Sequence, residues 1–175
     1  MSRTRMLTLA ALMAALSSIL SVEPFSIPIV FGPFASRIHF TQLPIFLSGC
    51  IAGPLVGFLT GAIGGIYMSV AVSIPFIPIG LGILGFSTGF FAKRLKLRPF
   101  LSSILAWCIQ SVYVLITDYI WFVSFRLMPR NVALGVVTSI LIKMTVEAVI
   151  SSTLAEVLVH SIRRAGFYPK PIDDD

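Results

Sequence analysis

Charge is what this sequence has least of. Only 11% of its 175 residues are Asp, Glu, Lys or Arg, and residues 38–92 contain none of the four. A soluble domain of this length needs a polar, charged surface. A chain that is 57% hydrophobic, with mean hydropathy +0.97, is excluded from that class. At roughly 20 apolar residues per crossing, the charge-free stretch has room for two or three helices in lipid. Gly53-Pro54 and the prolines Pro75 and Pro78 forbid one continuous helix there. Cysteine is scarce as well. Cys50 and Cys108 both sit in apolar runs, where a thiol behaves as a small hydrophobe, so neither a disulfide nor a metal site is expected. There is no G-x-x-x-x-G-K-[ST] phosphate loop, no H-E-x-x-H motif and no visible pairing of a nucleophile with a base. The expectation is a protein that is not an enzyme, cannot hydrolyse ATP and carries no cofactor.

What is present reads as one all-α integral membrane domain over residues 1–175, with six transmembrane segments at about 4–22, 39–52, 54–72, 77–92, 100–125 and 131–164. Arg3 and Arg5 before an apolar run have the layout of a secretory leader, but no small-x-small cleavage site closes the run, so the first helix is expected to be retained. The second segment is short for a full crossing. The last would extend roughly 50 Å against about 30 Å of hydrocarbon, so its far end, with Glu156, His160, Arg163 and Arg164, is expected to project into the interface.

Six crossings put both termini on one side. That side holds Arg3, Arg5, Lys93, Arg94, Lys96, Arg98, Arg163, Arg164 and Lys170, against Arg37, Arg126 and Arg130 on the other. The positive-inside rule therefore predicts cytoplasmic N- and C-termini, with residues 23–38, which contain Pro24, Pro28 and Pro33, outside. His39 and His160 then lie on opposite sides. The net charge of +6 is a topology signal, not a nucleic-acid footprint. The acidic residues 173–175 are expected to be solvated.

Four patterns carry information beyond topology. On the first helix, Ala10, Ala14, Ser17 and Ser21 share a face, with Ala11, Ala15 and Ser18 beside them. Small side chains let helices approach closely in lipid, and this strip suits either the chain's own helices or a partner's. Gly57, Gly61 and Gly65 recur at four-residue spacing, a seam for internal packing. The fifth segment gathers Trp107, Gln110, Tyr113, Thr117, Asp118 and Trp121, which fits a ligand pocket or an interfacial aromatic belt. On the sixth, Lys143 and Glu147 stand four apart near mid-membrane, as an intrahelical ion pair, a ligand contact, or both.

The order of features resembles the substrate-binding S components of energy-coupling factor (ECF) transporters, which take up vitamins. The likeness runs from the Ala-rich first helix, residues 8–16, through Arg37-Ile38-His39-Phe40-Thr41-Gln42-Leu43-Pro44 to the Gly53-Pro54-x-x-Gly57-x-x-x-Gly61 segment that follows a short second helix. The resemblance implies a vitamin-binding protein of the cell membrane that docks on a coupling transmembrane protein driven by two ATPase subunits. It implies that Ala10, Ala11, Ala14 and Ala15 contact the coupling protein, that residues 23–38 gate the pocket, and that the loaded protein topples in the membrane to deliver its ligand. The pocket candidates are Arg37, Gln110, Tyr113, Asp118, Trp121, Asn131, Lys143 and Glu147. Trp and Tyr would stack on a heterocycle, while Lys143 or Arg37 would meet a carboxylate, phosphate or carbonyl. Riboflavin, folate, pantothenate, thiamine and a pyridine vitamin suit these residue types equally. Two other classes fit the composition: a secondary transporter coupled to protons through Asp118, Glu147 or Glu156, and a membrane scaffold whose small-residue seams bind only proteins.

Overall fold

The computed structural model describes residues 3–31 and 34–166; Pro33, Lys170 and the acidic residues 173–175 lie outside them. Six helices follow in order: α1 (Arg3–Ile19), α2 (Gln42–Ala52), α3 (Pro54–Val72), α4 (Ile77–Lys93), α5 (Pro99–Ile120) and α6 (Arg130–Arg164). A 3₁₀ turn (Glu23–Phe25) and two antiparallel strands, β1 (Ile27–Phe31) and β2 (Phe34–Ile38), join α1 to α2. A π-helical turn (Trp121–Phe125) continues α5. By length and composition α3, α5 with its π turn, and α6 are suited to cross a membrane, while α2 and α4 are shorter apolar helices.

Local chemistry sets the boundaries. Gly53 ends α2 at φ +94°, a conformation open to glycine, and Pro54 starts α3 where its missing N–H has no helical partner to lose. Proline plays the same part at the start of α5. Extended chain was not expected in the proline-rich connection. Yet Ile27, Ile29 and Val30 are β-branched and favour strand geometry, and a two-stranded ribbon leaves free edges on which Pro28 is tolerated opposite Arg37. α1 stops three residues before the expected Val22, and α2 begins at Gln42, not His39.

The packing is that of a protein with lipid for solvent. Large apolar side chains such as Leu12, Ile66, Val70, Val112 and Val157 point outward, while Thr60, Thr88, Ser103, Ser151 and Ser152 are buried. The tightest approach is between α3 and α4. A Cβ on Gly57 would collide with the Gly85 carbonyl, one on Gly85 with the Gly57 carbonyl, and one on Gly61 with the Leu81 carbonyl. The four-residue glycine repeat is thus an internal seam.

α1 lies on α3 closely enough that a Cβ on Gly64 would meet Ser17 and the Ala14 carbonyl. Ser17 Oγ donates to the Thr41 carbonyl at 3.0 Å. This arrangement divides the four alanines of the expected partner surface between two faces. Ala10 and Ala14 are 2% and 1% exposed because they are spent on the chain's own packing; Ala11 and Ala15 are on the outward face.

The seam makes a stability prediction. Gly85→Ala should destabilise the protein by about 1–3 kcal/mol, the usual cost of overpacking. Gly135→Ala, on α6 with nothing within 4 Å of the added methyl, should be neutral or slightly stabilising. Thermal unfolding of the two variants in detergent decides it, and equal melting temperatures would refute the seam.

Candidate binding pocket

A cavity of about 320 Å³ opens where the start of α2, the end of α3, the start of α4, the second half of α5 and the first half of α6 converge. In the predicted topology every one of these ends is an outer end. The walls are apolar and aromatic, with Met68, Ile74, Phe76, Leu81, Phe122 and Met144 among them. Into this setting project His39, Gln42, Gln110, Tyr113, Thr117, Asp118, Lys143 and Glu147. Few polar groups in an apolar recess of this size is the usual make-up of a small-ligand site.

Each polar group is fixed by its neighbours. Tyr113 lies over Gly80, where an added Cβ would come within 3.0 Å of its ring, and its hydroxyl faces the Phe76 carbonyl at 3.4 Å. Lys143 Nζ is 3.4 Å from Glu147 Oε1, and the same oxygen accepts the backbone N–H of His39 at 2.6 Å. The ion-pair reading of Lys143 and Glu147 is therefore satisfied, and both also line the cavity. His39 precedes α2. Burial, then the nearby Lys143 and Arg37 charges, lower its pKa from 6.5 to about 4, so its imidazole is neutral at physiological pH.

Two amides stand out. Gln42 and Gln110 are each 1% exposed and both line the cavity, yet Gln42 Oε1 and Nε2 and Gln110 Oε1 have no hydrogen-bond partner among the described residues. Burying an amide in this way is costly unless something else meets it. Two carboxylates that accept, one ammonium that donates and two amides that do both would recognise a compact ligand carrying donors and acceptors together.

Of the expected pocket residues, Gln110, Tyr113, Asp118, Lys143 and Glu147 come together here. The other three lie outside the cavity lining. The Arg37 guanidinium, on β2, donates to Ser26 Oγ at 3.2 Å. Trp121 stands behind the wall, edge-on to Phe76 with ring centroids 5.8 Å apart. Asn131 is exposed at the start of α6. The sequence reading missed His39, Thr41 and Gln42 as pocket residues, and named Thr117 only as part of the polar group on the fifth segment. A glutamine inside the charge-free stretch was the available signal for Gln42.

Residues 1–164 match a family model described as the ECF-type riboflavin transporter, S component. Among solved structures, the S-component for biotin from an ECF-type ABC transporter is similar, with TM-score 0.63 and 21% identity over 91% of this chain and 95% of that one. The S component of a bacterial ECF transporter aligns with TM-score 0.55 and 17% identity, over 95% of this chain and 98% of that one. At these identities the two structures speak for the fold. No curated protein sequence matches the chain.

The unpartnered amide yields a prediction. Gln42→Leu should raise the stability of the empty protein by about 1–3 kcal/mol, because two buried polar atoms without partners are removed. A fall in melting temperature would show that the Gln42 amide is already satisfied.

Proposed function

The chain belongs to the ECF-type riboflavin transporter S component family, and from that membership we propose that it binds riboflavin in the cavity described above. The coarser role follows from the family itself: a vitamin-binding subunit of the cell membrane, without enzymatic activity, that works with an ECF module. The observation that supports the finer reading is that Gln42 and Gln110, with Gln42 Oε1 and Nε2 and Gln110 Oε1 unpartnered among the described residues, line one cavity together with Asp118, Lys143 and aromatic side chains. A flavin ring presents alternating carbonyls and ring nitrogens along one edge and a flat apolar face, and these groups match that edge and that face. In this reading Lys143 donates to a ring carbonyl, Gln42 and Gln110 read neighbouring positions, and Tyr113 and Phe122 flank the ring.

The partners are a coupling transmembrane protein and two ATPase subunits, which drive toppling of the loaded protein and release of its ligand to the cytoplasm. The cytoplasmic termini and an outward-facing pocket covered by the hairpin belong to the same proposal. Ala11 and Ala15, on the outward face of α1, are the small residues free to meet a partner helix. Proton coupling is less favoured. Glu156 accepts the backbone N–H of Phe100 at 2.8 Å, at the far end of α5 from the cavity, so the three carboxylates form no continuous relay.

Mass spectrometry of small molecules released from gently purified protein should find riboflavin at one equivalent; an empty protein that also fails to bind added riboflavin refutes the assignment. Lys143→Met should weaken riboflavin binding by roughly ten- to a hundredfold, the size of one hydrogen bond to a charged group. Unchanged affinity removes Lys143 from the site. Ala11→Trp with Ala15→Trp should leave binding intact and stop uptake by the assembled transporter. Full uptake by that pair would place the docking surface elsewhere.

A further inference from the structure

We propose that Glu147 is a positioning residue that ties the base of the outer hairpin to the pocket and tightens that tie when a ligand captures Lys143. The inference rests on the ligand-binding reading of the cavity, and its structural half stands independently of which ligand binds.

A single carboxylate oxygen has two partners of different kinds. Glu147 Oε1 accepts the His39 backbone N–H at 2.6 Å, and Lys143 Nζ lies 3.4 Å from it. His39 is the residue immediately after β2, whose last residue, Ile38, pairs with Ile27 of β1. Holding His39 therefore holds the closed base of the hairpin through both strands. The contact spans 108 residues of sequence and joins α6 to the outer connection. Glu147 is 3% exposed, so water does not readily replace either partner.

Lys143 is the mobile member of the trio. Its side chain lines the cavity and is longer and more flexible than a backbone amide fixed at the end of a strand. A ligand carbonyl or anionic group that draws the ammonium into the cavity takes positive charge away from Oε1. The carboxylate then depends more heavily on the His39 N–H, and a hydrogen bond to a less neutralised, buried carboxylate is the stronger one. Filling the cavity thus tightens the hairpin base without any direct contact between ligand and strands.

The test uses the full-length protein in detergent, with Ile38→Cys in a background lacking both native thiols (Cys50→Ala, Cys108→Ser). Ile38 is 7% exposed and pairs with Ile27, so a maleimide reaches a thiol there only when the hairpin base opens. Without ligand, Glu147→Ala should speed labelling roughly tenfold through loss of one hydrogen bond to a charged group, while Glu147→Gln, which keeps an acceptor oxygen, should speed it less. With riboflavin at saturation, verified for each variant by quenching of its fluorescence, labelling should slow in the parent and stay unchanged in both variants. Equal ligand-free rates in the parent and Glu147→Ala overturn the tether. Protection by riboflavin that persists in Glu147→Ala overturns the coupling. A parent that does not bind riboflavin defeats the ligand assignment instead, and the ligand-free comparison still decides the tether.

Discussion

Everything in this protein hangs on how closely α3 and α4 approach. Lipid gives helices no hydrophobic reason to associate, so contact has to come from fit, and here Gly57 and Gly85 put one backbone against the other. That contact fixes α4, and α4 in turn presents Gly80 and Phe76 to α5, where Tyr113 lies over the one and faces the carbonyl of the other. The cavity is thus bounded by backbones set in position at the other end of the same helices. Glycine seam and ligand site are two ends of one arrangement.

The distribution of polar atoms follows the same logic. A buried hydroxyl can bond a carbonyl one turn back on its own chain, as those of Ser48 and Thr88 do, and then asks nothing of its neighbours. The amides of Gln42 and Gln110 cannot be absorbed so easily, and they stand at the cavity. A protein that binds a polar ligand inside a membrane carries such groups in its empty state at some loss of stability, which the ligand makes good. Lys143 and Glu147 show the opposite solution: each satisfies the other while remaining in reach of the cavity.

Much of this was legible in the sequence, for reasons that differ by residue. Asp118, Lys143 and Glu147 could be read because an ionisable group in an apolar helix has few roles open to it. The six helices followed from hydropathy and from Gly53-Pro54. Trp121 could not be placed by helical spacing because after Ile120 the chain winds as a π turn, and Phe122 is the residue there that lines the cavity. Gln42 and His39 became visible only once α2 was seen to begin at residue 42, and the hairpin was masked by its prolines. The alanine strip gave correct composition but no orientation. Which of two adjacent faces turns inward depended on Gly64, far along the chain on α3.

The brevity of α2 has a consequence of its own. Its end lies one turn short of the end of α4: a Cβ on Gly89 would meet the Gly53 carbonyl carbon, and one on Gly49 the Gly85 carbonyl. With 11 residues against 17, α2 is shorter than α4 by roughly 9 Å at 1.5 Å per residue, and the Gly53–Gly89 contact places most of that difference at the Gly53 end. At the start of α2 the cavity wall is built partly by chain that precedes the helix, since His39 and Thr41 line it ahead of Gln42. This stretch of wall depends on its own tethers, Glu147 on the His39 N–H and Ser17 on the Thr41 carbonyl, and not on the glycine contacts that fix α4.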